Sequence, residues 1–382
     1  MQLVVHTSMA EIDAGQWNSM LESNNPFMRH EFLLGLEASG CVVPDTGWQP
    51  SHLAVYQDDH RTQLLGAMPL YIKSHSYGEY IFDWSWADAF HRNGLQYYPK
   101  LSNAIPFTPA TGERLLTAPG ANATHIADAL INHALCLAEA AKMSSFHCLY
   151  CHPSQLSTYT KHGLLTRHST QFHWQNRDYV SFDHFLDQLS SKKRKNIRRE
   201  RRRVADAGIH YKWYTRDELT HRIADQMFDF YLRTIHYYGA QEYLNRAFFH
   251  HLVDNFNPQT LILLAVHDDQ VVAGGLYFKS QDTLYGRYWG TSYDLHSVHF
   301  ETCYYQAIEW CIEHGYTRFE AGAQGEHKLA RGLEPVTTYS AHWLRDPRFY
   351  DAVDEFLTAE QHHIQEYQTM LNQHTPFKAS QK

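Results

Sequence analysis

One order of elements occurs twice along this chain of 382 residues, and it narrows the folds open to it. In the first half, the alternating segments 51–57 (SHLAVYQ) and 64–73 (LLGAMPLYIK) flank the turn-rich Asp58-Asp59-His60-Arg61, which reads as a hairpin. Ala127, Leu130, Ile131, Leu135 and Leu137 recur near helical spacing and predict a helix over 124–142, followed by a strand at 145–151. In the second half, Leu261–Val266, the turn Asp268-Asp269-Gln270 and Val271–Phe278 again read as a hairpin, and Thr283–Trp289 continues the sheet. A helix over 298–314 stops at Gly315, a natural left-handed cap, before strands at 316–321 and 337–344. Helical material near 9–38 precedes the first set, and helices at 181–189, 191–207, 217–237 and 246–255 precede the second. Asp346-Pro347 opens a last helix. No residue-level repeat accompanies this order, so the architecture is duplicated and the sequence is not. The expected class is α/β of the α+β type, with tandem domains at 1–178 and 179–382. No Gly/Ser or Pro linker parts them, so apposed halves with a cleft between them are expected.

A content of 43% hydrophobic and 14% aromatic residues suffices for two cores. The opening MQLVVHTSMAEIDAG has no basic region or small-residue cleavage site. The densest apolar stretch, Leu261–Val266, is far shorter than the roughly 20 residues a membrane helix needs. A cytoplasmic protein with no membrane span is the expectation; the oligomeric state is left open. Six cysteines at scattered positions make no disulfide framework. The segment His147-Cys148-Leu149-Tyr150-Cys151-His152 reads as a metal knuckle or as a buried strand. A strand puts the two cysteines on opposite faces, and no second pair completes four ligands, so no metal is expected.

Residues 192–203 read KKRKNIRRERRR. Counting Glu200, the run carries +8 against −8 for the whole chain, so the remainder carries −16. Ile197 and Val204, with Leu186 before them, form a thin apolar line, and Gly208 ends the helix. The run is therefore a solvated helix face or an anion-binding surface. It has almost no acids of its own to form i,i+4 pairs, and its arginines suit bidentate contacts with phosphate or carboxylate, which favours the anion. Lys193, Arg194 and Arg198 are the candidate ligands.

Three further segments carry possible chemistry. In Gly286-Arg287-Tyr288-Trp289-Gly290, glycines on both sides allow close backbone approach, and an inward Arg287 needs an anion. Phe319-Glu320-Ala321-Gly322-Ala323-Gln324-Gly325-Glu326-His327-Lys328 leaves a strand through a Gly-rich turn and places an acid, an imidazole and an amine side by side. It reads as a general-base site or as an ordinary surface turn. Glu301, Tyr304 and Tyr305 fall on the first turns of a helix, where anions bind readily.

Together with Pro106-Phe107-Thr108-Pro109-Ala110-Thr111-Gly112, Lys193-Arg194-Lys195-Asn196-Ile197-Arg198-Arg199-Glu200-Arg201, and His299-Phe300-Glu301 before Cys303-Tyr304-Tyr305-Gln306, these segments resemble a bacterial N-acyltransferase family. That family is labelled Fem-like and linked to peptidoglycan biosynthesis, within the GNAT superfamily. The resemblance covers nearly the whole chain. It implies two tandem GNAT-like domains and transfer of an acyl or aminoacyl group from an activated carrier to an amine. In Fem relatives the donor is an aminoacyl-tRNA and the acceptor a peptidoglycan precursor. Mapped here, Glu326 or Glu320 would act as base, with His327 and Tyr288 as further catalytic groups. Substrate contacts would come from Lys193, Arg194, Arg198, Arg287, Trp289, Glu301, Tyr305, Lys328, Arg331, Phe107 and Thr108. No permanently bound cofactor is expected; acyl-CoA or aminoacyl-tRNA would be the co-substrate. Gly290-Thr291-Ser292-Tyr293-Asp294-Leu295-His296-Ser297 lacks the Gly-rich loop with which acetyl-CoA enzymes of this superfamily hold pyrophosphate, which tilts the expectation towards tRNA. The alternative is a non-catalytic tRNA- or nucleic-acid-binding module that uses the helix 191–207.

Overall fold

The computed structural model describes residues 1–22, 24–292, 297–323 and 325–378. Two compact units emerge: Met1–Ser169 with Thr337–Glu366, and Thr170–Val336 with the segment from Tyr367 onward. A single cut at 178/179 is replaced by crossings at 169/170, 336/337 and 366/367.

In the first unit, His52–Tyr56 and Leu64–Met68 form the expected hairpin, in register Leu53↔Met68 and Ala54↔Ala67. Gln2–His6 and Leu116–Thr117 extend it on either side. Pro69 cannot donate to a ladder, and after it Tyr71–Lys73 joins another sheet, between Trp48–Pro50 and Lys100–Asn103. Ser145–Cys148 runs parallel to Lys100–Asn103 and antiparallel to residues 341–344. The helix Ala123–Ala140 buries Ile126, Leu130, Ile131, Ala134 and Ala138 against Leu53, Met68, Leu101 and Phe146. The strand 145–151 stops at Cys148 because Tyr150 turns into the left-handed region, with φ 52°. The alternation expected of the two cysteines fails there, and Cys148 and Cys151 both lie in the same core. The aromatic region 77–112 contains a helix, Trp84–Arg92, and the strand Lys100–Asn103.

In the second unit the strand order is His210–Thr215, Thr260–His267, Gln270–Lys279, Thr283–Thr291, Arg318–Glu320, and then the end of Leu165–Gln175. All of these neighbours are antiparallel except Thr283–Thr291 with Arg318–Glu320. That parallel pair needs a crossover, supplied by helical residues 298–313. Two strands were not legible. His210–Thr215 is a half-exposed edge strand without strict alternation, and Leu165–Gln175 is rich in polar residues. One face of the sheet packs Leu261, Leu263, Tyr277, Leu284 and Phe319 against Phe185, Ile197, Tyr304, Tyr305 and Ile308. On the other face lies the helix His221–Tyr237. Its Phe230 carbonyl comes so near Gly290 that a Cβ there would stand 2.0 Å away.

Candidate active site

The site begins where two strands part. Thr283↔Arg318, Leu284↔Phe319 and Tyr285↔Glu320 are paired; beyond them one strand runs on to Thr291 while the other ends. Between the next two pairs of the neighbouring ladder, Tyr277↔Gly286 and Leu276↔Tyr288, Arg287 is the extra residue of a β-bulge. Such a bulge re-aims a side chain next to the opening. The other strand leaves through Gly322 at φ 81°, a conformation that favours glycine.

Glu320 is buried, with Arg318 Nε at 3.2 Å and His173 Nδ1 at 3.9 Å from its Oε1. Burial pushes its carboxyl up to about 7, although Arg318 and Arg287 pull the other way. Burial, with the charges of Arg318 and Lys328, pushes His173 down to about 3. His173 Nε2 meets Gln171 Oε1 at 3.1 Å.

Lys328 is equally buried, and its Nζ donates to the Gly322 carbonyl at 2.9 Å. Burial, then the repulsion of Arg287, brings its ammonium down to about 8. The same Arg287 therefore acts on both the carboxyl and the amine. His327 Nε2 is 2.8 Å from the Tyr304 hydroxyl. His327 is itself exposed, yet partial burial, then Arg331 and Lys328, hold that imidazole below its ordinary range. His299 stacks on Trp289 at 4.4 Å and lies 5.6 Å from the Tyr304 ring. Burial and the neighbouring His327, Arg331 and Lys328 depress it to about 4. Imidazoles kept neutral beside lysine and arginine mark a place where positive charge is concentrated and an anion is favoured.

Helical residues 298–313 carry a π-turn at Glu301–Tyr305, a feature frequent at functional sites. Glu301 is not turned outward. Its Oε1 accepts from Arg201 Nε at 3.1 Å and Gln306 at 2.8 Å, while its Oε2 is buried with no partner among the described residues. Arg201 also reaches Glu309. Tyr305 donates to Glu200, whose carboxylate receives Arg331 Nη2 at 3.3 Å on each oxygen.

The basic helix, Ser191–Asp206, thus has two sides. Arg194 pairs with Asp187 at 3.0 Å and Arg198 with Asp183 at 2.9 Å, both on the preceding helix Phe182–Gln188. Lys193 is half-buried. Lys192, Lys195, Arg199, Arg202 and Arg203 are exposed. The acids that the run lacks come from other helices; Arg201 is a partly buried structural tie, whereas the Arg198–Asp183 pair lies at the surface.

Among the other candidates, Glu326 is exposed and accepts from the Tyr367 hydroxyl at 2.7 Å, which ties the turn to the last helix. Tyr288 sits edge-on to Tyr231 at 5.0 Å. Phe107 and Thr108 belong to the first unit. Phe107 takes a left-handed backbone and packs on Trp48 at 5.4 Å, and the Thr108 hydroxyl donates to the Pro106 carbonyl at 3.1 Å. Gln324 and residues 293–296, half of the stretch without a Gly-rich loop, lie outside the described residues. Glu200, His173 and His299 are neighbours of this place that sequence reading did not name as site residues; Glu200, the lone acid in a basic run, and His299, in the segment with Glu301, left a signal. Among the described residues no group of three or more His, Cys, Asp or Glu could hold a metal ion, and no helix is long and apolar enough to cross a membrane.

A family model described as peptidoglycan biosynthesis/recognition, FemAB-like, matches residues 8–379. No curated protein matches the sequence. Among solved structures, FemX aligns over 93% of this chain and 100% of its own, with 11% identity and a TM-score of 0.54. The C-terminal domain (DUF2156) of an Agrobacterium fabrum protein described as a lysylphosphatidylglycerol synthetase aligns over 91% of this chain and 96% of its own, with 10% identity and a TM-score of 0.53. L-PGS from Bacillus licheniformis covers 85% of this chain and 95% of its own, with 11% identity and a TM-score of 0.50. At such identities these likenesses speak for the fold alone, mixed sheets flanked by helices.

Proposed function

We propose, from the premise that the chain belongs to the FemAB-like family, that its second unit moves an acyl or aminoacyl group from an activated carrier to an amine in cell-envelope metabolism. One observation carries the reading: Glu320 and Lys328 are both buried at the point where the strands part, and both feel Arg287. The amine nitrogen attacks the carbonyl carbon of an ester or thioester, and its proton passes to Glu320. A base near 7 is well matched to that task at neutral pH. Lys328, still charged at neutral pH, faces the negative charge that develops on the carbonyl oxygen. The C–O or C–S bond then breaks, and the leaving atom takes a proton from the Tyr304–His327 pair. No covalent enzyme intermediate is required once the two substrates are positioned. The exposed cations of the basic helix suit a phosphate-bearing carrier, and the missing Gly-rich loop favours aminoacyl-tRNA over acyl-CoA.

The test uses radiolabelled aminoacyl-tRNA and acyl-CoA as donors, with an amine-bearing peptidoglycan precursor as acceptor. The kcat/KM profile should be bell-shaped, with its limbs at about 7 and about 8. Glu320→Gln should cost roughly 10²-fold or more. Lys328→Met should cost about as much and abolish the alkaline limb. Full transfer by both variants rules this site out. Salt-sensitive tRNA binding without transfer from any donor favours the non-catalytic module instead.

A further inference from the structure

Glu200, the single acid of the basic run, takes no part in the chemistry proposed above, yet its carboxylate is committed on both oxygens. It lies three residues after buried Ile197 and four before buried Val204, so it faces inward. It accepts from Tyr305 and from Arg331. Arg331 in turn donates through Nη1 to the His327 carbonyl at 2.9 Å, and its guanidinium lies 3.4 Å from the Phe300 ring centroid. The Arg331 side chain is only 9% exposed. We infer that Glu200 is a positioning residue: through Arg331 it fixes the turn that bears His327 and Lys328. The inference rests on reading that turn as the active site, but its test does not depend on turnover.

Both tyrosines of the arrangement belong to the π-turn. Consecutive residues of a regular helix point about 100° apart. Here Tyr304 and Tyr305 both reach the same bracket, Tyr304 by the His327 ring and Tyr305 by Glu200. His327 is therefore held twice, at its ring by Tyr304 and at its backbone by Arg331, and only the second hold depends on Glu200. Without that carboxylate, Arg331 would keep one carbonyl and one ring for a nearly buried charge, and its low-energy course is to swing into water. The basic helix would stay in place, because its next residue, Arg201, is bound independently by Glu301 and Glu309.

His327 reports the outcome. The charged and titratable groups around it are Arg331, Lys328, His299 and the Tyr304 hydroxyl, and, although exposed, it is held below its ordinary range by partial burial and then by Arg331 and Lys328. In the full-length protein, Glu200→Gln keeps the side chain's size and an acceptor for Tyr305 but removes the charge. The His327 resonance, assigned by its loss in His327→Gln, is followed by NMR against pH. If Glu200 positions Arg331, the midpoint rises by about 0.5 pH unit or more as the guanidinium departs. Glu200→Asp, which keeps a carboxylate, stays nearer the parent value. A fall or no change overturns the inference, because Arg331 has then remained beside His327. So does loss of cooperative unfolding in Glu200→Gln, which would make the residue a support of the fold and not of the turn.

Discussion

Glu320 and His173 face each other inside the second unit, and burial drives their protonation in opposite senses. The folded chain keeps a proton on Glu320 up to about 7, whereas the ordinary value is 4.5. Stability from this carboxyl is fully present below 4.5 and is lost as pH rises to about 7, at about 1.4 kcal/mol per pH unit. His173 does the reverse. Its ordinary value is 6.5 and its folded value about 3, so it costs stability as pH falls through that window. Between about 4.5 and 6.5 the two slopes oppose each other, and the parent protein conceals both. We expect Glu320→Gln to uncover the histidine. The stability of the parent relative to the variant should fall between pH 5 and pH 7 by up to about 3 kcal/mol. Urea unfolding at both pH values checks this, and a constant difference refutes the protonation assigned to Glu320. The sequence placed Glu320 at a strand end and so made it a candidate. That Glu320 is buried while Glu326 is exposed was not legible, because burial depends on packing against His173 of a neighbouring strand.

At the scale of elements, most helices and hairpins were readable because each carries a local period and local end signals. The basic helix shows where such reading stops. Its position and its Ile197–Val204 line follow from spacing, but the partners of Arg194, Arg198 and Arg201 lie on other helices. Reading the whole run as a free anion surface therefore overlooks the inward tie of Arg201 and the surface pairs of Arg194 and Arg198. The strand Thr283–Thr291 offers a sharper test of element packing. Gly290 touches the backbone of the helix His221–Tyr237, with a Cβ position 2.0 Å from the Phe230 oxygen. Backbone cannot swing aside as a side chain does. Gly290→Ala should cost about 1–3 kcal/mol in urea unfolding and displace Trp289, whose carbonyl takes the Thr234 hydroxyl of the same helix at 2.7 Å. Parent-like stability would show that this helix has room to move.

At the scale of the whole molecule, the twofold order of hairpin, strand, helix and strand was visible in the chain. Its division was not visible. The first unit recovers residues 337–366 from the far end of the sequence; Ala341–Leu344 pair with Ser145–Cys148, and Val353 and Leu357 complete the core around Trp86, Phe90 and Tyr97. A fragment of residues 1–178 should consequently fail to fold cooperatively, whereas a cut between independent domains would release a folded piece; circular dichroism during thermal unfolding distinguishes the two. The sequence alone determined most of the elements and their order, because periodicity, caps and turn residues act over a few neighbours. Only the tertiary structure decided which acid is buried, which arginines are spent on internal pairs and which strand closes which unit. Those outcomes depend on desolvation and on contacts between residues as far apart as Glu200 and Arg331, for which no local pattern exists.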